Sequence, residues 1–487
     1  MHRISTYLSQ TSPLRQHIAL SLVFFLSRVL LDVGGVRFNM VLDWMFLSDP
    51  GDLRDRLAET LYYSHGWPPG MNLLTGLLLK ISDAHAGDLA HALFHILDLV
   101  LVNALFYMGR VLGLSVGVAF VFVIAYSLTP QVIYFEHLYL YETPVIAPLC
   151  LAAALFHRAV LRPSFWPWFW MFLTCAVVGW IRSSYHLVWF VAMLGLALFF
   201  TGRRTWPQVL AASVVPVALL LALYTKNLIV FDVFAAHTWS PGTLTTATIR
   251  RLNPVDRAQL IQQGKLSPFA GVDVYRGPRH YLRFFEKTEN PKWPAMLNTL
   301  EQPSLGAPNY NHWFFLEINQ RRKEDLRFYF KERRPQYFET VVLNLREIFS
   351  PSTEWHPYDE FPSNPHRQHR EALGSYEAAY KRVIHGIPLA PMGVYPLLVV
   401  ACFWGAWRMK AFYRARQPRS SAVAALLAFL LFQVAFVVST GILFAAGEAQ
   451  RYRFQVDPFL WLMGIFCAVE IARMLRRPRS SVRAGNS

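Results

Sequence analysis

What most constrains this chain is a series of long apolar runs. Segments of about 17 to 25 residues with almost no charge recur along it, the length that crosses a hydrocarbon core of roughly 30 Å. The sequence is 54% hydrophobic and only 16% charged, where soluble domains carry about a quarter charged residues. Helices satisfy their own backbone in lipid, and the period-2 alternation of barrel strands is absent. The expected class is therefore an all-α polytopic membrane protein.

The net charge of +16 would suggest nucleic acid for a soluble chain. Here the Lys and Arg residues fall in short loops between apolar runs, as the positive-inside rule requires of cytoplasmic loops. The expected partner is the bilayer, with no nucleic acid. Cys150, Cys175, Cys402 and Cys467 all lie inside apolar runs. They form no disulfide framework and no CxxC pattern, and no metal ligands or certain cofactor are expected. Arg3 and Arg15 precede the apolar core Ile18 to Leu26 without a small-x-small cleavage site, which predicts a retained signal anchor.

Ten spans are expected. The first runs from Arg15 to Val33, and Arg28 and Asp32 near its far end are four apart, close enough to pair. The others lie at about 89–109, 111–129, 143–160, 164–181, 185–201, 207–225, 390–407, 421–445 and 453–472. Pro68 to Ile81 is apolar but only about 21 Å long as a helix, which suits a segment lying along the interface. Leaving it out of the count places Arg110, Arg158 with Arg162, Arg203-Arg204, Arg408 to Arg419 and the tail from Arg473 on one side. The chain then divides into an N-terminal membrane module (1–226) with a first external loop (34–88) and an external insertion of mixed loops and helices (227–388). C-terminal spans (389–475) and a disordered basic cytoplasmic tail (476–487) complete it. Within the insertion, Asn319 to Arg333 and Gln336 to Phe349 have helical periodicity. No internal repeats or broken helices are evident.

This topology collects Asp43, Glu136, His137, Glu142, Arg182, His186, Lys226, Glu448, Arg451 and Arg453 at the outer ends of the spans. Each alone reads as a helix-end solvator or half of an ion pair. As a set they suit a cavity where a carboxylate takes a proton from an acceptor while cations hold a departing phosphate. Asp49, Asp52, Asp55 and Glu59 are further acids in the first loop. Interleaved with Arg54 and Arg56, they read as a solvated helix capped by Asp52. The aromatic run Phe165 to Trp170 reads as a headgroup anchor, and Asn309-Tyr310-Asn311-His312 as a candidate acceptor-binding loop.

Four stretches resemble the GT-C glycosyltransferases, polytopic enzymes that use polyprenyl-phosphate-linked sugars, and within them the protein O-mannosyltransferase and aminoarabinose-transferase branch. They are Asp43 with His65-Gly66-Trp67-Pro68-Pro69; Leu138 to Pro144, containing Tyr139, Tyr141 and Glu142; Tyr224 to Asn227 with His237 to Gly242; and Glu448 to Arg453 before Asp457-Pro458. The resemblance implies an inverting transfer on the non-cytoplasmic face of a bacterial inner membrane, from the lipid-linked donor to a glycan, lipid or protein acceptor. Asp43 would be the general base. Glu142 is the second catalytic carboxylate, and it and Glu136 would orient hydroxyls. Arg451, Arg453, Lys226 and Arg182 would stabilise the phosphate. Glu448 and His65 would line the site, while Tyr139, Tyr141, Trp67 and Trp239 would stack on sugars. Where the family pairs Asp with Glu in the first loop, this chain has Asp43-Trp44, which leaves metal assistance without support. A transporter or lipid flippase and a catalytically inactive GT-C-like subunit are the alternatives.

Overall fold

The computed structural model describes residues 12–38, 40–42, 47–354, 365–386, 392–445 and 447–476. Asp43 and Trp44 lie outside these residues, as do residues 477–487 of the expected tail. Every element among the described residues is helical, with one isolated bridge between Glu301 and Pro308.

The helices begin with α1 (Pro13–Val33), α2 (Pro50–Asp55), α3 (Leu57–Tyr63), α4 (Gly70–Ile81), α5 (Ala86–Val111), α6 (Val116–Ser127) and α7 (Pro130–His137). There follow α8 (Glu142–Leu161), α9 (Phe165–Ile181), α10 (Leu187–Phe200), α11 (Trp206–Phe231), α12 (Ser240–Ala247), α13 (Pro254–Gln262), α14 (Ala295–Asn298) and α15 (Phe314–Glu332). The series closes with α16 (Arg334–Glu347), α17 (Pro365–Ile384), α18 (Tyr395–Arg414), α19 (Pro418–Phe444), α20 (Ala449–Phe454) and α21 (Asp457–Leu475).

Six helices among the described residues are long and apolar enough to cross a membrane: α1, α5, α8, α11, α19 and α21. The pair α6 and α7 makes a seventh if it is one span bent by 55°. Each remaining expected span is also a helix, but α9 and α10 have 17 and 14 residues, and α18 ends among Arg408, Lys410 and Arg414. Helix α4 has 12 residues, about 18 Å at 1.5 Å per residue, too short to cross. The membrane class is thus observed, at a coarser count than ten spans. The break at residues 128–129 departs from the expectation of unbroken helices: Pro130 supplies no N–H to continue the helix and disfavours an α conformation before it.

The core is one continuous apolar cluster shared by α5, α8, α9, α10, α19 and α21, with Trp168, Trp189, Phe172 and Phe429 fully buried. The basic loops meet at one end of this bundle. There Arg473 donates to the carbonyl of Gly113, Arg408 pairs with Glu470 at 2.9 Å, and Phe199 stacks on Tyr413. The aromatic run opening α9 leaves Trp166 and Trp170 more than half exposed, as a headgroup anchor requires.

At the opposite end the first loop is clamped to the insertion. Asp49, not Asp52, caps α2, accepting from the N–H of Asp52 at 3.1 Å. Its carboxylate also accepts from the N–H and hydroxyl of Ser304 at 2.7 and 2.8 Å. Asp52 instead pairs with Arg56 at 2.6 Å. Asp49→Ala removes cap and clamp together and should cost about 1–2 kcal/mol, the upper range for a lost cap; thermal unfolding in detergent measures it, and Asp52→Ala should cost less.

Candidate functional site

The charged residues at this end sort into three groups. The first centres on Glu142, the opening residue of α8 and fully buried. Its Oε1 accepts from Arg182 Nη1 at 2.9 Å and lies 3.5 Å from Arg451 Nε. Its Oε2 is buried with no hydrogen-bond partner among the described residues. Arg182 sits between the rings of Tyr141 and Tyr452, 4.3 Å from each centroid, and Arg451 lies 5.1 Å from the Tyr141 centroid. Glu448 closes the group, 2.5 Å from Arg451. Burial opposes charge on Arg451, but Glu448 and then Tyr141 and Glu142 outweigh it and hold its pKa above the ordinary value. Gln455, with its amide oxygen turned toward Arg182, accepts from that guanidinium and donates to Tyr185 at 2.9 Å.

Two aromatic residues that the sequence did not single out belong here. Tyr452 separates Arg451 from Arg453 in sequence, and its ring covers Arg182 in space. Tyr275, from the insertion, lies within electrostatic reach of Glu448 and Arg451; burial first, then Glu448, raises its phenol well above the ordinary value. Met40, Leu42 and Leu47, which flank Asp43, pack in the cluster that contains Tyr139 and borders Tyr141.

The second group corrects an expected pairing. Arg28 does not pair with Asp32, which faces Arg37. Arg28 instead reaches Glu136 with Nε and Nη2 at 3.0 and 2.8 Å and donates to the carbonyl of Ser127 at 2.9 Å. His95 also meets Glu136. His91 and His137 lie beside it, their rings 4.6 Å apart, and the buried Asp98 completes the set. Glu136 therefore sits in a different charged group from Glu142: one closes a buried ion pair across the α6–α7 break, the other faces two arginines. No three His, Cys, Asp or Glu residues among those described are placed to hold a metal.

Arg453, expected beside Arg451, belongs to the third group. Its Nε donates to Asp457 at 2.9 Å, Nη1 to the carbonyls of Ile348 and Ser350, and Nη2 to Ser352 at 2.8 Å. Tyr395 lies under the guanidinium and donates to Asp457. Residues two apart on a helix point about 200° apart, so Arg451 and Arg453 serve opposite sides of α20. Four of the five N–H donors of Arg453 are thus spent inside the protein, and it joins elements of the fold.

His65 and Lys226 also join elements. The His65 ring meets Thr238 Oγ1 at 2.7 Å and the Asn311 carbonyl at 3.0 Å. Burial, and then the charge of Lys226, pushes its pKa down to about 3. Lys226 donates to the carbonyl of Ser64 at 2.5 Å. Asn311 in turn donates to the carbonyl of Tyr63, so the expected acceptor loop is a buttress for the first loop. Trp67 stacks on Trp239 at 4.8 Å behind it. Tyr139 is buried against Phe94 and shares a hydrogen bond with Thr75. His186 caps α10.

Beside these groups an apolar groove of about 1210 Å³ runs between α1, α6, α17 and α21. Val23, Phe122 and Trp461 line it, and Tyr126, Tyr376 and Tyr380 add hydroxyls.

The architecture and the buried charge at the ends of its helices define an all-α membrane protein. No family model matches the chain, and no curated protein or solved structure is significantly similar to it.

Two outcomes test these assignments. Arg28→Ala strands Glu136 in the interior and should cost about 3–5 kcal/mol, whereas Arg28→Met with Glu136→Leu should recover most of that loss, both read from thermal unfolding. His65 is held neutral in the fold and regains its ordinary pKa of 6.5 when unfolded, so the unfolded chain binds more protons between those values. Stability should fall as pH drops from about 6.5 toward 3, and His65→Gln should flatten that part of the unfolding profile.

Proposed function

We propose that this chain is a membrane glycosyltransferase that takes a sugar from a polyprenyl-phosphate donor and transfers it with inversion on the non-cytoplasmic face. The observation that carries this reading is the convergence of two buried guanidiniums, Arg182 and Arg451, on Glu142 between tyrosine rings. Guanidiniums offer a planar fork matched to phosphate, and a buried site strengthens that contact. The apolar groove supports a lipid-linked donor. The proposed topology has ten spans with the basic loops in the cytoplasm, the insertion outside, and a bacterial inner membrane as the setting.

In the proposed step Asp43 accepts the proton of an acceptor hydroxyl or amine. The freed lone pair attacks the anomeric carbon, the bond from that carbon to the phosphate oxygen breaks, and the phosphate leaves with the electron pair. Arg451 and Arg182 stabilise the leaving charge, and Glu142 orients a hydroxyl of acceptor or sugar through the oxygen that has no hydrogen-bond partner among the described residues. Glu448 occupies the face of Arg451 that a phosphate needs, so donor binding displaces it. Arg453, His65 and Lys226 hold this arrangement together without touching substrate.

A second reading rests on the broken span. Discontinuous helices with ionisable groups at the break mark transporters, and α6–α7 carries Glu136 against Arg28, His95 and Asp98. Turnover separates the two. Purified protein with a polyprenyl-phosphate sugar should release polyprenyl phosphate, Asp43→Asn should abolish that release while the protein still folds, and Arg451→Ala should lower kcat by roughly 10²–10³. Proteoliposome flux without any release of lipid phosphate would establish the transporter reading instead.

A further inference from the structure

Helix α16 is built the wrong way round for a helix in water. Its polar Asn344 and Thr340 are buried, while Phe338, Val342 and Leu345 are 66%, 50% and 46% exposed. Those three are spaced i, i+4, i+7 and so share one face. Arg334 and Arg346, both exposed, lie along or beside that face. A soluble surface helix presents the reverse pattern. An apolar stripe flanked by cations is instead the signature of a helix lying in the membrane interface.

The place where α16 docks gives the stripe its depth. Asn344 donates to the carbonyls of Ile442 and Ala445 at 2.9 and 2.6 Å, and Tyr337 donates to the carbonyl of Leu443 at 2.5 Å. These carbonyls belong to the last turn and cap of α19, one of the six membrane-crossing candidates. Helix termini leave such carbonyls without partners inside the helix, and α16 satisfies them. It is therefore fixed at the level where α19 leaves the hydrocarbon. The end of α19 exposes Leu443 and Phe444, so the lipid-facing surface of the span runs on toward the α16 stripe.

We infer that α16 lies in the outer lipid interface, with Phe338, Val342 and Leu345 among the acyl chains and Arg334 and Arg346 at the phosphates. The occupant of this face is lipid. The polar residues do the protein docking, which leaves the apolar stripe for a medium that is itself apolar. Beyond its last turn the chain continues to Ile348, whose carbonyl accepts from Arg453. The contact with lipid thus fixes one end of the turn that carries Arg451. The inference does not depend on the transferase reading.

Nitroxide labels test it on the full chain reconstituted in phosphatidylcholine–phosphatidylglycerol vesicles, with the four native cysteines replaced. Labels go at positions 338, 342 and 345, and at 339 as the polar control, all exposed sites whose labelling spares the core. Quenching by oxygen should exceed quenching by a water-soluble nickel chelate severalfold at the first three, and the ratio should reverse at 339. Equal nickel access at all four positions would overturn the assignment to lipid. So would spin–spin broadening at 338 that grows with protein-to-lipid ratio, which would give the face to a second copy.

Discussion

The structure depends on how a guanidinium can be kept away from water. A buried cation is tolerated when its charge is paired and its N–H groups find acceptors, and Arg453 is paired with Asp457 and has acceptors for four of its five N–H groups. Asp457 belongs to α21, the carbonyls of Ile348 and Ser350 and the hydroxyl of Ser352 to the end of the insertion, and Arg453 itself to α20. One side chain thereby fixes the last helix, the short helix before it and the returning end of the insertion. Because α20 is so fixed, Arg451 on its far side has a settled direction, and that direction is Glu142. The candidate centre inherits its geometry from a residue that does not belong to it.

The helices were legible because a bilayer leaves few options: an apolar run that long is a helix, and each expected span is one. The bounds drifted by a few residues, since caps and proline decide ends while apolar periodicity does not. Convergence was legible only in outline. Glu142, Arg182, Glu448 and Arg451 meet as a shared depth suggested. Asp32 and Arg28 did not pair despite ideal spacing, because a buried Arg28 has a buried carboxylate within reach and Asp32 stays exposed. The split between Arg451 and Arg453 was available from helix geometry alone, since i and i+2 never share a face. Tyr275 had no local signal. It arrives through the tertiary course of the insertion, which patterns of three and four residues do not encode.

No similar protein lends this chain a role, so the chemistry of its two buried acidic centres has to carry one. Glu136 lies within ion-pair distance of one guanidinium, Arg28, through both oxygens and also meets His95, and these contacts join α1 and α5 to the α6–α7 break. Glu142 faces two arginines, one of which also pairs with Glu448, and it follows Tyr141, which packs beside Met40, Leu42 and Leu47. Two guanidiniums at Glu142 against one at Glu136 is the difference on which the transferase proposal rests.

Arg28 has a further consequence. One guanidinium holds the carbonyl of Ser127 before the break between α6 and α7 and the carboxylate of Glu136 after it, with only Leu128 and Thr129 between the helices. Adding or removing one residue there would turn Glu136 by about 100° about the helix axis, away from its cation. Connections between helices ordinarily drift in length over evolutionary time because little is attached to them. This one is measured from both sides by the same side chain, so its length should stay fixed while its identity is free to change.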